Sequence, residues 1–152
     1  LIVRKAEWSD NVIPASSSQM AINLHTLGIY FENQTYLDIA TQLLSSVSKE
    51  IEQYGAGYSN WAMLYLQQIK PKKQLVIVGK SVNEYFKTIY KTSPPNVIFA
   101  LSDQESNLPL LKNRFIKDKT TLYVCQNNTC LLPTESVDVA IKQLEEFYTT
   151  YK

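Results

Sequence analysis

The residues of this 152-residue chain that could do chemistry are two cysteines, one histidine, a Gly-Lys-Ser tripeptide and a surplus of aromatic side chains. Cys125 and Cys130 enclose Gln126-Asn127-Asn128-Thr129, and Asn-Asn suits the positive backbone angles of a two-residue hairpin turn. In that register the cysteines face each other with Cα atoms about 4.5 Å apart. The separation admits a disulfide and equally two packed thiols. The spacing is not the Cys-x-x-Cys of redox enzymes, and two thiols without a histidine nearby in sequence make no zinc site.

Gly79-Lys80-Ser81 follows an apolar run and invites a phosphate-binding loop, but that loop needs a second glycine five positions earlier, where Gln74 stands. Without the glycine-rich turn the amides do not converge on a phosphate. His25 falls beside an apolar helical stripe, where a lone histidine packs more often than it catalyses. Tyr30, Tyr36, Tyr54, Tyr58, Trp61 and Tyr65 crowd the first half of the chain. Such rings pack cores, and they also stack on pyranose faces while their polar tips reach hydroxyls. The sequons at Asn33 and Asn127 matter only in a secreted chain.

These groups are placed by two different kinds of element, which makes the expected fold class α+β. Met20, Leu24, Leu27 and Phe31 recur at helical spacing after the capping serines Ser16 to Ser18. A long helix is predicted from Thr35 through Tyr54, with Leu37, Ala40, Leu44, Val47 and Ile51 on one face. Gly55-Ala56-Gly57 ends it, and a third helix carries Tyr58, Trp61, Ala62, Tyr65, Leu66 and Ile69. Lys70-Pro71-Lys72-Lys73 is a linker that divides the chain into a helical part, 1–70, and a small α/β part, 71–152. In the second part Leu75-Val76-Ile77-Val78 and Val97-Ile98-Phe99-Ala100-Leu101 read as buried parallel strands joined by a helix that Pro94-Pro95 closes. A polar loop, the Thr121–Leu132 hairpin and a helix over 136–151 complete a βαβ unit plus hairpin. The crevice beyond the two parallel strands, near Gly79 and Ser102-Asp103, is a further small-ligand candidate.

Composition narrows the function. Fifteen basic and 14 acidic residues leave a net charge of +1, which provides no field for nucleic acid or an anionic membrane surface. No apolar run approaches the roughly 18 residues of a membrane span. Two cysteines and no leader segment point to the reducing cytoplasm, and the start at Leu1 rather than Met suggests an excised or processed part of a longer protein.

The segments Glu7-Trp8-Ser9-Asp10-Asn11-Val12-Ile13-Pro14, Asn23-Leu24, Leu27-Gly28, Tyr54 with its glycines and Trp61, Val76-Ile77-Val78-Gly79, and Tyr123 to Cys130 with Pro133 together resemble a known arrangement. It is similar to the C-terminal end of the thioredoxin-domain-containing family of bacterial YyaL and its spermatogenesis-associated animal relatives. The likeness runs over essentially the whole chain. It departs at Pro14-Ala15-Ser16-Ser17-Ser18, where the family has Pro-Ser-Gly-Asn-Ser, and at Asn128, where it has an aromatic residue.

The resemblance implies a long protein: a thioredoxin-like domain, then a six-hairpin α/α barrel similar to N-acylglucosamine 2-epimerase, then a small α/β appendage. Residues 1–70 then form the last barrel helices and 71–152 the appendage. Its partners are the upstream barrel and thioredoxin-like domains, with carbohydrate as the ligand class and no cofactor. Asp10, Ser18 and Trp61 are the expected contacts at the barrel mouth: a carboxylate, a hydroxyl and a stacking ring. Sugar epimerases of this kind use paired histidines as acid and base, and one histidine cannot supply both. The chain alone is expected to be inactive, because the groove-forming helices upstream are not part of it. The alternative is an interaction module that docks the thioredoxin-like domain or another protein.

Overall fold

Helix α1 (Ser16–Tyr30) opens the helical part of the chain. The computed structural model describes residues 6–92, 96–127 and 129–149, and the chain divides between Lys70 and Pro71 into two compact units. Ser16 to Ser18 lie inside the first turn of α1 rather than capping it. The cap position is Ala15, whose N–H bonds to the Asp10 carboxylate. Glu32, with a φ of 48°, turns the chain into α2 (Gln34–Ser45), which is capped by the Asn33 side chain accepting from Tyr36 N–H.

The single long helix expected from Thr35 to Tyr54 is broken. After α2 the chain restarts as α3 (Ser48–Gln53). The cause is local: the hydroxyls of Ser45, Ser46 and Ser48 bond to the carbonyls of Thr41, Leu43 and Ser45, offering the backbone an alternative to the helical ladder. The break still leaves Val47 in the core. A 3-10 turn (Gly55–Tyr58) then leads into α4 (Ser59–Ile69).

The core of this unit is Ala21, Leu44, Val47, Trp61 and Leu64, with Trp8, Ile22, Leu43, Ile51 and Tyr58 packed around it. On α4 the buried face is Trp61 and Leu64. Tyr65, Leu66 and Ile69, expected on that face, are each more than half exposed.

The second unit is a four-stranded mixed sheet in the order β2-β1-β3-β4. The central strand β1 (Lys73–Val78) is buried along its whole length. It pairs in parallel with β2 (Val97–Ser102) and antiparallel with β3 (Thr121–Gln126). The edge strand β2 buries Ile98 and Ala100 more fully than Val97, Phe99 and Leu101. Between β1 and β2 runs α5 (Val82–Thr92), and β4 (Thr129–Cys130) makes a short hairpin with β3. The expected stop at Pro94-Pro95 lies outside the described residues.

Helix α6 (Val137–Thr149) places Ala140 and Leu144 against Leu75, Ile77, Val82, Ile89, Leu122 and Val124. Each fully buried Leu or Ile of this set contributes about 1.5–3 kcal/mol relative to exposure. The loop after β2, polar on average, turns Leu110 and Leu111 inward through bonds from Leu111 N–H and Lys112 N–H to Leu108 O.

Lys73 belongs to β1 rather than to the linker, and it is buried. Its ammonium donates to the carbonyl of Leu144, and desolvation lowers its pKa from 10.5 to about 8.

Candidate functional site

The segment before α1 is held by an unusually dense set of polar contacts. Asp10 N–H donates to Gly57 O at 2.7 Å. Its carboxylate accepts from Ala15 N–H at 3.0 Å, from the Ser18 hydroxyl at 2.7 Å and from Asn60 N–H at 2.8 Å. Ala15 and Asn60 stand at the starts of α1 and α4, where backbone N–H groups have no helical acceptor. One carboxylate thus serves two helix N-termini, which also favour negative charge. Burial alone would raise the Asp10 pKa, but the bonds from Ala15, Ser18 and Asn60 outweigh it and hold the carboxyl below its ordinary value.

Trp61 is held in the same way. Its indole N–H donates to Trp8 O at 2.7 Å, and its ring stacks on the Trp8 ring with centroids 5.7 Å apart and planes 15° from parallel. Gly57 completes the junction, because a Cβ there would meet the Tyr54 ring at 2.5 Å. The structure therefore brings Asp10, Ser18 and Trp61 together around one junction. It turns them inward: Ser18 and Trp61 have no exposed surface, and Asp10 is 8% exposed. In this geometry the three position their neighbours rather than presenting free groups to a ligand.

What they position is a cleft of about 300 Å³ lined by Trp8, Ser46, Val47, Glu50 and Tyr58. That volume lies at the small end of ligand sites. Trp8, half-buried and backed by Trp61, forms one wall. Val47 and Glu50 reach the cleft because the chain breaks between α2 and α3. Two aromatic residues, one carboxylate and one hydroxyl can stack on and hydrogen-bond a polyhydroxylated ring. Glu50 is the one carboxylate of the lining, so a two-carboxylate acid/base mechanism has no second member there.

Sequence reasoning places Trp8 only within a motif and gives Glu50 no role. The available signal for Trp8 was its position two residues before the junction carboxylate. Nothing in sequence signals Glu50, since its approach to Tyr58 depends on the helix break.

The other candidates are occupied by structure. His25 is buried on α1. At the Gly79-Lys80-Ser81 turn, Gly79 N–H bonds to Ser102 O, Ser81 N–H bonds to Thr120 Oγ1, and Lys80 pairs with Asp118 at 2.6 Å. Gly79 has a φ of +136°, and a Cβ there would lie 2.1 Å from Lys119 O. The glycine thus serves a close chain crossing rather than a phosphate, and the same bonds engage the crevice beside Ser102.

Cys125 and Cys130 are paired across β3 and β4 with Cα atoms 3.9 Å apart and are joined by a disulfide. Among the described residues no group of three His, Cys, Asp or Glu side chains could hold a metal ion, and no helix is long and apolar enough to cross a membrane.

The chain is similar to spermatogenesis-associated protein 20 of Homo sapiens, with 25% identity over 144 residues that cover 88% of this chain and 18% of the relative. The Mus musculus and Rattus norvegicus proteins of the same name are each 24% identical over 144 residues, with the same coverage. The chain spans less than a fifth of the length of these curated relatives. No family model matches it, and no solved structure matches it.

Proposed function

We propose that the helical unit contributes a carbohydrate-binding cleft to a larger protein, a thioredoxin-fused barrel similar to N-acylglucosamine 2-epimerase. Residues 1–70 are then the last barrel helices and 71–152 an α/β appendage. The observation that carries the reading is the cleft itself, lined by Trp8 and Tyr58 together with Glu50 and Ser46. The similarity to much longer relatives, of which the match covers 18%, supports the larger setting. The cleft binds but does not catalyse in this reading, because Glu50 is the one ionisable acid of its lining and His25 is not part of it.

A cytoplasmic setting belongs to the same proposal, since one short-range disulfide in 152 residues is far from the density of disulfide-built secreted domains. Asp10, Ser18 and Trp61 act here by holding Trp8 in place.

Titration with N-acetylhexosamines, hexoses and β-linked disaccharides, followed by tryptophan fluorescence, tests the cleft. Saturable quenching at millimolar sugar is expected, about −4 kcal/mol of binding. It should be lost in Trp8→Ala and Glu50→Gln chains that still fold. A flat response to every sugar refutes the reading.

A protein-interaction module is the second reading, favoured by the exposed row Met63, Leu66 and Ile69 on α4, each more than half accessible. The occupant it implies is an upstream segment of the same longer protein. Acid and base residues converging in the upstream barrel would favour the sugar reading, and their absence the interaction reading.

A further inference from the structure

The hairpin disulfide does not sit among apolar side chains alone. The guanidinium of Arg114 donates to both sulfurs, Nη1 to Cys125 Sγ at 3.5 Å and Nη2 to Cys130 Sγ at 3.6 Å. It is fixed there by Tyr123, over whose ring it lies at 4.8 Å and whose hydroxyl donates to Arg114 O. The two sulfurs differ in access: Cys125 is 1% exposed, whereas Cys130 is exposed. A permanent charge held against a neutral disulfide gains little, because disulfide sulfur is a weak acceptor. The same charge held against a thiolate gains much more. The loop closed by the bridge is only five residues in sequence separation, so the cross-link restrains the unfolded chain little compared with a long-loop bridge.

We propose that Cys125–Cys130 is an exchangeable disulfide, opened by an external dithiol that attacks Cys130, with Arg114 placed to receive the departing Cys125 thiolate. In the first step an external thiolate forms a bond to Cys130 Sγ. The Cys125–Cys130 bond breaks, and its electron pair leaves on Cys125 Sγ beside the guanidinium. In the second step the other thiolate of the dithiol attacks its own sulfur in the mixed disulfide and releases Cys130 as a thiolate. Two electrons pass to the hairpin, the external dithiol becomes a disulfide, and its two protons end on the two cysteines or in solvent. Two monothiols acting in turn give the same balance.

The attack falls on Cys130 because the buried Cys125 offers no approach. With Cys130 attacked, the leaving group is Cys125, whose charge forms beside the Arg114 guanidinium, and lower basicity makes a better leaving thiolate. The surrounding strands stay paired through Leu131 N–H to Val124 O and the Leu122–Thr134 bridge, so the sheet has no need to unfold for the bond to open.

The whole chain is equilibrated in glutathione redox buffers, quenched by alkylation and counted by mass, with circular dichroism recording the fold. Opening is expected while the chain remains folded. Arg114→Gln should lower the equilibrium constant for opening by about tenfold, the equivalent of one pKa unit on the thiolate, and Arg114→Lys should recover part of the loss. In single-cysteine chains, Cys130 in Cys125→Ser should form a mixed disulfide with oxidised glutathione at least about ten times faster than Cys125 in Cys130→Ser. Opening that occurs only on unfolding overturns the proposal. So does an Arg114→Gln chain with unchanged equilibrium and rate, or equal capture by the two cysteines.

Discussion

Removing the Asp10 carboxylate should loosen two helix starts at once. In Asp10→Ala the N–H groups of Ala15 and Asn60 lose their acceptor, while the Ser18 hydroxyl keeps its bond to Ala15 O at 3.0 Å. Each lost cap costs about 1–2 kcal/mol and the lost charge-assisted bond from Ser18 about 1 kcal/mol, for a total of about 3–5 kcal/mol. Asp10→Asn keeps one carbonyl oxygen for Ala15 and Ser18 but turns an NH2 toward Asn60 N–H. Its expected cost is smaller, about 1–2 kcal/mol.

The chain supplies its own probe, since its two tryptophans, Trp8 and Trp61, both lie in the helical unit. Urea unfolding followed by tryptophan fluorescence therefore reports this unit alone. With a slope of about 1 kcal/mol per molar urea, the alanine variant should move the midpoint down by about 3 M or unfold the unit without denaturant. The folded pKa of Asp10 lies below its ordinary value. Its contribution is thus full above the unfolded carboxylate pKa of about 3.9 and fades as pH falls through the folded value. Asp10→Asn should flatten that acid limb. A midpoint change worth under about 1 kcal/mol in Asp10→Ala, or an asparagine variant weaker than the alanine one, refutes the two-helix role.

Two further outcomes concern the α/β unit. Gly79→Ala should destabilise it by about 2–4 kcal/mol, from the positive φ and the collision with Lys119 O; this is measured as a lower thermal midpoint by circular dichroism with tryptophan fluorescence unchanged. Lys73, with a folded pKa of about 8 against 10.5, binds fewer protons folded than unfolded between those values, so stability should rise with pH from about 8 to 10.5. Lys73→Met should remove that rise, and a slope that persists in the variant assigns it to another group.

The run from Leu75 to Val78 announces its strand because a β-branched stretch with apolar residues at every position is buried on both faces, and nothing local competes with it. The break at Ser46 and Val47 is hidden for the opposite reason. The apolar spacing continues through it, while the competing bonds run from hydroxyls to backbone and leave no trace in hydrophobic periodicity. Trp61 shows the limit of reading chemistry from residue type. An indole can stack on a ligand or on another indole, and only the return of Trp8 from 53 residues away decides between them. Asp10 is legible as important from its place before a helix. That its second helix begins 50 residues later is a property of the fold. Arg114 sits in a polar loop whose sequence gives no sign of the hairpin it reaches.

The junction at Asp10 and Trp61 also bears on the order in which the helical unit assembles. Helices α1 and α2 adjoin along the chain and can pair after closing a short turn, whereas the bonds from Asn60 and Trp61 close loops of about 50 residues and must carry that larger entropy loss. The junction is therefore the late step. Substitutions there should speed unfolding more than they slow folding, with φ-values near zero, while changes between α1 and α2 act on the folding rate. A chain still emerging from the ribosome would hold the α1–α2 hairpin before the segment around Asp10 has anything to close upon.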